Sequence, residues 1–230
     1  SGLDETRPAQ SDYAAEVAYA FSPRNEEGRP RMLLAEAGTK DAFGHAQLGG
    51  VGPLIAKLCK DRLGAKLFAA GFRITDDPHR VRGLGSSPFD DEGVANRAMD
   101  IIDDGVLTTW LLNTSSARQL GLETTGHASR GLAGPPGVAP CNLTVAPGER
   151  DLAGLMADAG AGLLITSMFG PSLNSNTGDW SVGCSGFWFE GGEVAYPVTE
   201  ITVAGNLIDI YGRLVPGADL EIRGASNSPS

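Results

Sequence analysis

Histidine, cysteine and carboxylate spacing sets the limits on what chemistry this sequence can carry. It has three histidines, His45, His79 and His127, and none lies three or four residues from another. A helix-borne zinc site wants two imidazoles one turn apart, usually with a glutamate beside the first, plus a further ligand. No HExxH or HExxxH occurs. The nearest text runs Leu34-Ala35-Glu36-Ala37 and later Phe43-Gly44-His45, with alanine where a first histidine would stand. A metal cluster would have to be assembled in space, and His45, His127 and Cys184 are the residues for it. Isolated histidines more often serve as surface or hydrogen-bonded structural groups, and that reading is favoured here.

Nucleophilic and acid–base sites are no better marked. Cys184 stands between Gly183 and Ser185 in a run that alternates like a strand, so a small core residue is the preferred reading. No GxSxG is present, and Ser86-Ser87 and Ser115-Ser116 read as turn and cap signals. Asp90-Asp91-Glu92, with Asp76-Asp77 before it, offers paired carboxylates for a cation or a polarised substrate. A solvated turn ahead of the strand at Asn96 is the stronger reading. The glycine-rich loops lack a Walker or dinucleotide pattern.

Bulk properties narrow the classes further. The chain has 230 residues, 41% hydrophobic and 20% charged, with a formal charge of −10 and its 18 Lys and Arg scattered. Sequence-independent grip on nucleic acid or anionic membrane needs clustered cations, so neither is expected. Cys59, Cys141 and Cys184 share no metal-type spacing; an odd, unpaired count points to a reducing, cytoplasmic setting. No apolar run is long enough to span a bilayer.

The elements that must position these residues are short, with 32 Gly and 14 Pro punctuating them. Residues 1–30 are polar and proline-broken, an arm outside the main domain of residues 31–230. A short buried strand is expected over 31–35, a helix over 54–63 capped by Gly64, and a strand over 67–74 that ends in the turn Thr75-Asp76-Asp77-Pro78. Asp103-Asp104-Gly105 joins two strand-like runs as a hairpin, because Asp-Gly supplies positive φ. A short helix over 115–120 ends at Gly121, and residues 124–140 read as a long surface loop. Leu152, Leu155 and Met156 sit at helical spacing within 151–159, and 162–168 reads as a buried strand. The stretch from Asn176 to Asn206 is a long hairpin turning at Gly191-Gly192, with Pro197 breaking the ladder before a strand over 201–203. If Phe187 and Phe189 face the core, Trp188 faces the other way, towards solvent, a second layer or a partner. A short helix over 205–214 and a last strand over 218–223 close the chain.

The ordered motifs Asp90-Asp91-Glu92-Gly93-Val94, Ser116-Ala117-Arg118-Gln119-Leu120-Gly121-Leu122, Thr125-Gly126-His127-Ala128, Asn176-Thr177-Gly178-Asp179, Ser185-Gly186-Phe187-Trp188, Tyr196-Pro197-Val198 and 201–207 resemble the TldD/PmbA family of metalloprotease-related proteins. They resemble specifically the C-terminal domain of its PmbA branch, also called TldE. The resemblance runs from about Met32 onward; residues 1–30 do not match the family's N-terminal domain and read as a remnant or arm. It implies an α+β fold: an extended, strongly curved, mostly antiparallel sheet with a few short helices. It also implies that TldD-type chains carry zinc on HExxxH plus a later cysteine, while PmbA-type chains pair with them and lack those ligands. Ala35 agrees with the ligand-free branch, and Cys184 falls one residue from the expected cysteine, which in a strand reverses the face.

The expected function is therefore a metal-free TldE/PmbA-like subunit, with no cofactor of its own, that scaffolds a TldD-type zinc peptidase acting on unfolded or leader peptides. Its expected partners are an HExxxH-bearing subunit or a second copy, and the peptide substrate, which such pairs are thought to bind as an added strand. Phe43, His45, His127, Asn176, Asp179 and Trp188 are the candidate substrate or interface residues. The alternatives are a self-sufficient hydrolase with a divergent metal site at His45, His127 and Cys184, and a non-enzymatic peptide-binding module.

Overall fold

A computed structural model describes residues 34–35, 62–132, 134–174, 177–223 and 226–229, with side chains reported from Arg62 to Glu221. The expected arm over 1–30, most of the expected helix over 54–63, and Phe43, His45 and Asn176 lie outside those residues. In chain order the strands are β1 (Leu34–Ala35), β2 (Ile74–Asp76), β3 (Met99–Asp103), β4 (Val106–Leu107), β5 (Ala128–Ser129), β6 (Gly137–Val138) and β7 (Leu143–Val145). They continue as β8 (Ala161–Leu173), β9 (Asp179–Glu190), β10 (Glu193–Asn206), β11 (Leu220–Arg223) and β12 (Ser226–Pro229). The helices are α1 (Thr114–Leu120), α2 (Leu152–Ala159) and α3 (Leu207–Tyr211). The architecture is mostly antiparallel sheet with few, short helices.

The long strands form one sheet in the order β1-β8-β9-β10, in which only the β1–β8 pairing is parallel. Ala35 sits opposite Ile165 in that pairing. Gly191 and Gly192 turn β9 into β10 at φ of 60° and 83°, the double positive φ of a two-residue hairpin loop. The strand is longer than its pattern suggests: Pro197 does not end it but pairs with Phe187 inside β10. Among the described strands β10 is an edge, where one side of the ladder is open and proline is tolerated. Register shifts at Val194/Tyr196, Val198/Ile201, Ile165/Ser167 and Phe169/Ser172 mark the bulges that bend these strands.

Alternation gives the sheet two different faces. Leu163, Ile165, Val182, Cys184, Val198, Ile201 and Val203 form one buried apolar layer, with Trp188 and Trp180 packed against it. On the other face Phe189 is fully buried with Leu164 under Leu155 and Met156 of α2. Phe187, one step further along, stays 36% exposed because α2 does not reach it. Trp188 is half-buried, and its Nε1 donates to Glu190 Oε1 at 2.9 Å. It packs against the buried apolar layer while remaining partly exposed.

The second sheet runs β4-β3-β2-β7. Asp104 and Gly105 turn β3 into β4 at φ of 49° and 79°, as the Asp-Gly signal predicts. Instead of a strand over 67–74, only Ile74–Asp76 is extended. Leu67 N–H and Phe68 N–H both donate to Gly105 O, folding that stretch over the hairpin end. There Phe68 stacks on Phe72 at 4.4 Å and on Tyr211 at 5.1 Å. Leu207 and Tyr211 of α3 join this core, with Trp180 and Leu173 packed against it, so the base of the long hairpin rests on the second sheet. The chain's last strand is not the one over 218–223: β12 follows and pairs with β11.

Candidate functional site

The pattern that places the buried polar centre is a simple alternation. Phe72, Ile74, Asp76 and Pro78 are all buried, so the inward face of β2 presents a carboxylate where a hydrophobe would be ordinary. Asp76 is wholly buried. Its Oδ1 accepts Asn142 N–H at 2.6 Å, while Oδ2 accepts Cys141 N–H at 2.8 Å and faces His127 Nε2 at 3.0 Å. A buried charge needs such partners, and here the carboxylate answers two backbone donors that enter β7 and one imidazole.

His127 is held from its other side by Thr125, whose Oγ1 lies 2.9 Å from Nδ1. Thr125 Oγ1 accepts Leu112 N–H at 2.7 Å. The Leu112 carbonyl already receives Thr125 N–H and the Thr124 hydroxyl. The Thr125 hydroxyl also lies within donating distance of that carbonyl, at 3.2 Å, so His127 is clamped between Thr125 and Asp76 through its two ring nitrogens. Both ring nitrogens therefore have a partner inside the protein. The expected surface loop over 124–140 is therefore drawn inward over Thr125–Ala128, and β5 pairs with β6. Asp90 completes the pull: Oδ2 accepts Ala128 N–H at 3.0 Å, and Oδ1 accepts Glu92 N–H and Val94 N–H. Asp91 and Glu92 likewise accept from Arg130 N–H and Thr114 N–H. The acidic run caps backbone donors, as the turn reading expects, but Asp90 is buried, not solvated.

Among the described residues, Asp76, His127 and Cys141 are the group of potential metal ligands brought together, with donor atoms within 4.8 Å of one another. Both imidazole nitrogens and both carboxylate oxygens are engaged by the protein itself. Burial, followed by the charges of Asp76, Asp90 and Asp77, pushes the Cys141 thiol up to about 11, so without a bound cation it is protonated near neutrality. Cys184 is not in this group; it lies fully buried in the apolar layer of the long sheet, where burial also raises its thiol. The sequence marks His127 as a candidate and Asp76 only as one of several carboxylates near turns, and it links neither to the other nor to Cys141. The alternation from Phe72 to Pro78 was the available signal for Asp76, and nothing local marked Cys141.

The remaining described candidate, Asp179, stands elsewhere, at the start of β9. Its Oδ2 accepts the Thr177 hydroxyl at 2.6 Å, and Oδ1 accepts Asn206 Nδ2 at 3.3 Å. Asn206 also caps α3 through Ile208 N–H and donates to Thr177 O. Ser172, Asn174, Asp179, Trp180, Ser181, Ala204, Gly205 and Asn206 line an open cavity of about 460 Å³ at this end of the sheet.

Comparison with known proteins shows the family of the chain. Residues 41–230 match the family described as the PmbA/TldA metallopeptidase C-terminal domain. The chain belongs to this family. The metalloprotease PmbA of Escherichia coli O157:H7 is 38% identical over 218 residues, which is 93% of this chain and 46% of that protein. A Thermotoga maritima structure, of a candidate modulator of a DNA gyrase, superposes with a TM-score of 0.72 at 31% identity. That match covers 85% of this chain and 46% of the other. TldE from Thermococcus kodakarensis shares the fold, with a TM-score of 0.66 at 21% identity over 78% of this chain and 46% of its own. The chain spans about half the length of these PmbA/TldD-family relatives.

Proposed function

We propose that this chain is a TldE/PmbA-like subunit with no catalytic metal of its own, scaffolding a TldD-type, HExxxH-bearing zinc peptidase that acts on unfolded or leader peptides. The observation that carries the reading is the state of the Asp76, His127 and Cys141 donors. The carboxylate and imidazole atoms are already engaged inside the protein. A catalytic zinc needs three protein ligands and an open position for water or substrate. In this cluster the two fully buried members, Asp76 and His127, are already hydrogen-bonded within the protein, and only Cys141 is partly exposed. By the family resemblance, Ala35, which pairs with Ile165, stands where a metal-bearing chain would carry its first histidine. What this chain's residues do instead is hold backbone: Asp76 and Asp90 fix the ends of the 124–142 segment, and the long hairpin presents an extended edge and an open sheet face.

Reconstitution tests the reading. The chain alone, and the chain mixed with an HExxxH-bearing family member, are assayed on an unfolded peptide with and without zinc. Cleavage that requires both chains supports a scaffolding subunit. Zinc-dependent cleavage by this chain alone contradicts it.

A further inference from the structure

The long hairpin sheet carries a charge pattern that the rest of the chain does not share. Residues 161–206, which contain all of β8, β9 and β10, hold Asp179, Glu190, Glu193 and Glu200 and no lysine, arginine or histidine. Any basic group that approaches this sheet meets carboxylates and no competing side-chain cation from the same strands.

The register shows where such a group can settle. Ser172, Ser181 and Ala204 are cross-strand neighbours on one face, followed by Phe169, Gly183 and Thr202. Ser172, Ala204, Thr202 and Phe169 are exposed. The Phe169 ring lies directly over Gly183, where an added Cβ would come within 2.4 Å of it, so the ring walls the floor on one side. The small residues leave the cavity of about 460 Å³, and Asp179 with Asn174 and Asn206 stands along it. Asp179 is exposed, its two contacts are neutral donors, and among the described residues no basic side chain pairs with it. A carboxylate has about four acceptor positions, so two hydrogen bonds leave it able to take a cationic donor.

We infer that this cavity is a subsite for a lysine or arginine side chain of an extended peptide lying on the exposed face of β8–β10. The inference rests on the peptide-handling reading above and adds a charge preference to it. Charge complementarity selects the occupant: the Asp179 carboxylate beside a neutral floor, on strands that carry no cation, favours a basic segment and repels an acidic one.

The test uses the 230-residue chain and three labelled unfolded peptides of equal length, identical except for Lys, Gln or Glu at one central position, read by fluorescence anisotropy. The Lys peptide is expected to bind roughly two- to fivefold tighter than the Gln peptide at low salt, the scale of one exposed ion pair. The Glu peptide should bind weakest, and the spread should shrink at high salt. Asp179→Asn removes the Lys preference, and Ala204→Lys, on the exposed floor, reverses it. Equal affinity for the three peptides, or a Lys preference that survives both substitutions, overturns the subsite while leaving peptide binding intact. Absence of binding by all three peptides removes the peptide-handling reading together with it.

Discussion

The Nε2 atom of His127 lies 3.0 Å from Oδ2 of Asp76, and both side chains are sealed from solvent. The carboxylate also ties Cys141 N–H and Asn142 N–H, residues more than 60 positions away in sequence. The pair is thus a strut between β2, the 125–128 segment and the entry to β7. A histidine in this setting organises backbone, with both ring nitrogens turned to protein partners.

Asp76→Asn turns one carboxylate oxygen into a donor that faces other donors in a buried place. It is expected to cost roughly 3 kcal/mol or more, since removing one partner of a buried pair leaves the rest uncompensated. Urea unfolding of the variant against the parent measures this. A loss within the scatter of ordinary surface changes would show that the strut does not hold the segment.

Alkaline pH should weaken the fold through Cys141. Its thiol is raised to about 11 in the folded chain, from a reference of 9.0, by burial and then by Asp76, Asp90 and Asp77. The unfolded chain therefore loses this proton first as pH rises, and stability present below about pH 9 declines towards pH 11. Cys141→Ser should flatten that decline in pH-dependent thermal melts. Native-state alkylation at pH 8, read by peptide mass, should be slow at both Cys141 and Cys184.

Two helix caps should differ in weight. Asp151 caps α2 through Gly154 N–H alone and is exposed; Asp151→Ala is expected to cost about 1 kcal/mol. Asn113 caps α1 through Ser116 N–H while its amide donates to Pro136 O and Gly137 O, and it is buried. Asn113→Ala should cost about twice as much, because two carbonyls lose their donor as well. Chemical denaturation of the two variants side by side checks the order.

Gly186 marks the closest approach of β9 to β8: an added Cβ would fall 1.9 Å from the Leu164 carbonyl oxygen. Neither backbone can yield without shifting the register that buries Ile165 and Cys184. Gly186→Ala is expected to destabilise by roughly 2–4 kcal/mol, in the range of severe overpacking. Thermal melting, with loss of near-ultraviolet signal from Trp180 and Trp188, reports it.

Local signals proved readable where one short stretch determines its own backbone. Asp104-Gly105 and Gly191-Gly192 dictate their turns through positive φ, and Gly121 ends α1 in the left-handed region. The outcome was harder to read where distant groups decide. Residues 125–128 look like a surface loop because their polarity is visible in sequence and their partners Asp76 and Asp90 are not. Pro197 reads as a strand break until β10 is known to be an edge. For the site, His127 was legible as one of three histidines, but its partners come from β2 and the approach to β7, and no spacing rule links positions 76, 127 and 141. The cavity beside Asp179 depends on which small residues align across three strands, which bulges reset in a way that alternation alone does not show.

The central claim, a subunit without a catalytic metal, is tested most directly by metal stoichiometry. The purified chain is equilibrated with zinc, dialysed and measured by plasma mass spectrometry, alongside His127→Ala and Cys141→Ser. The account predicts far less than one zinc per chain in all three samples. One tightly held zinc per parent chain, lost in His127→Ala together with peptide cleavage by the chain alone, would contradict it.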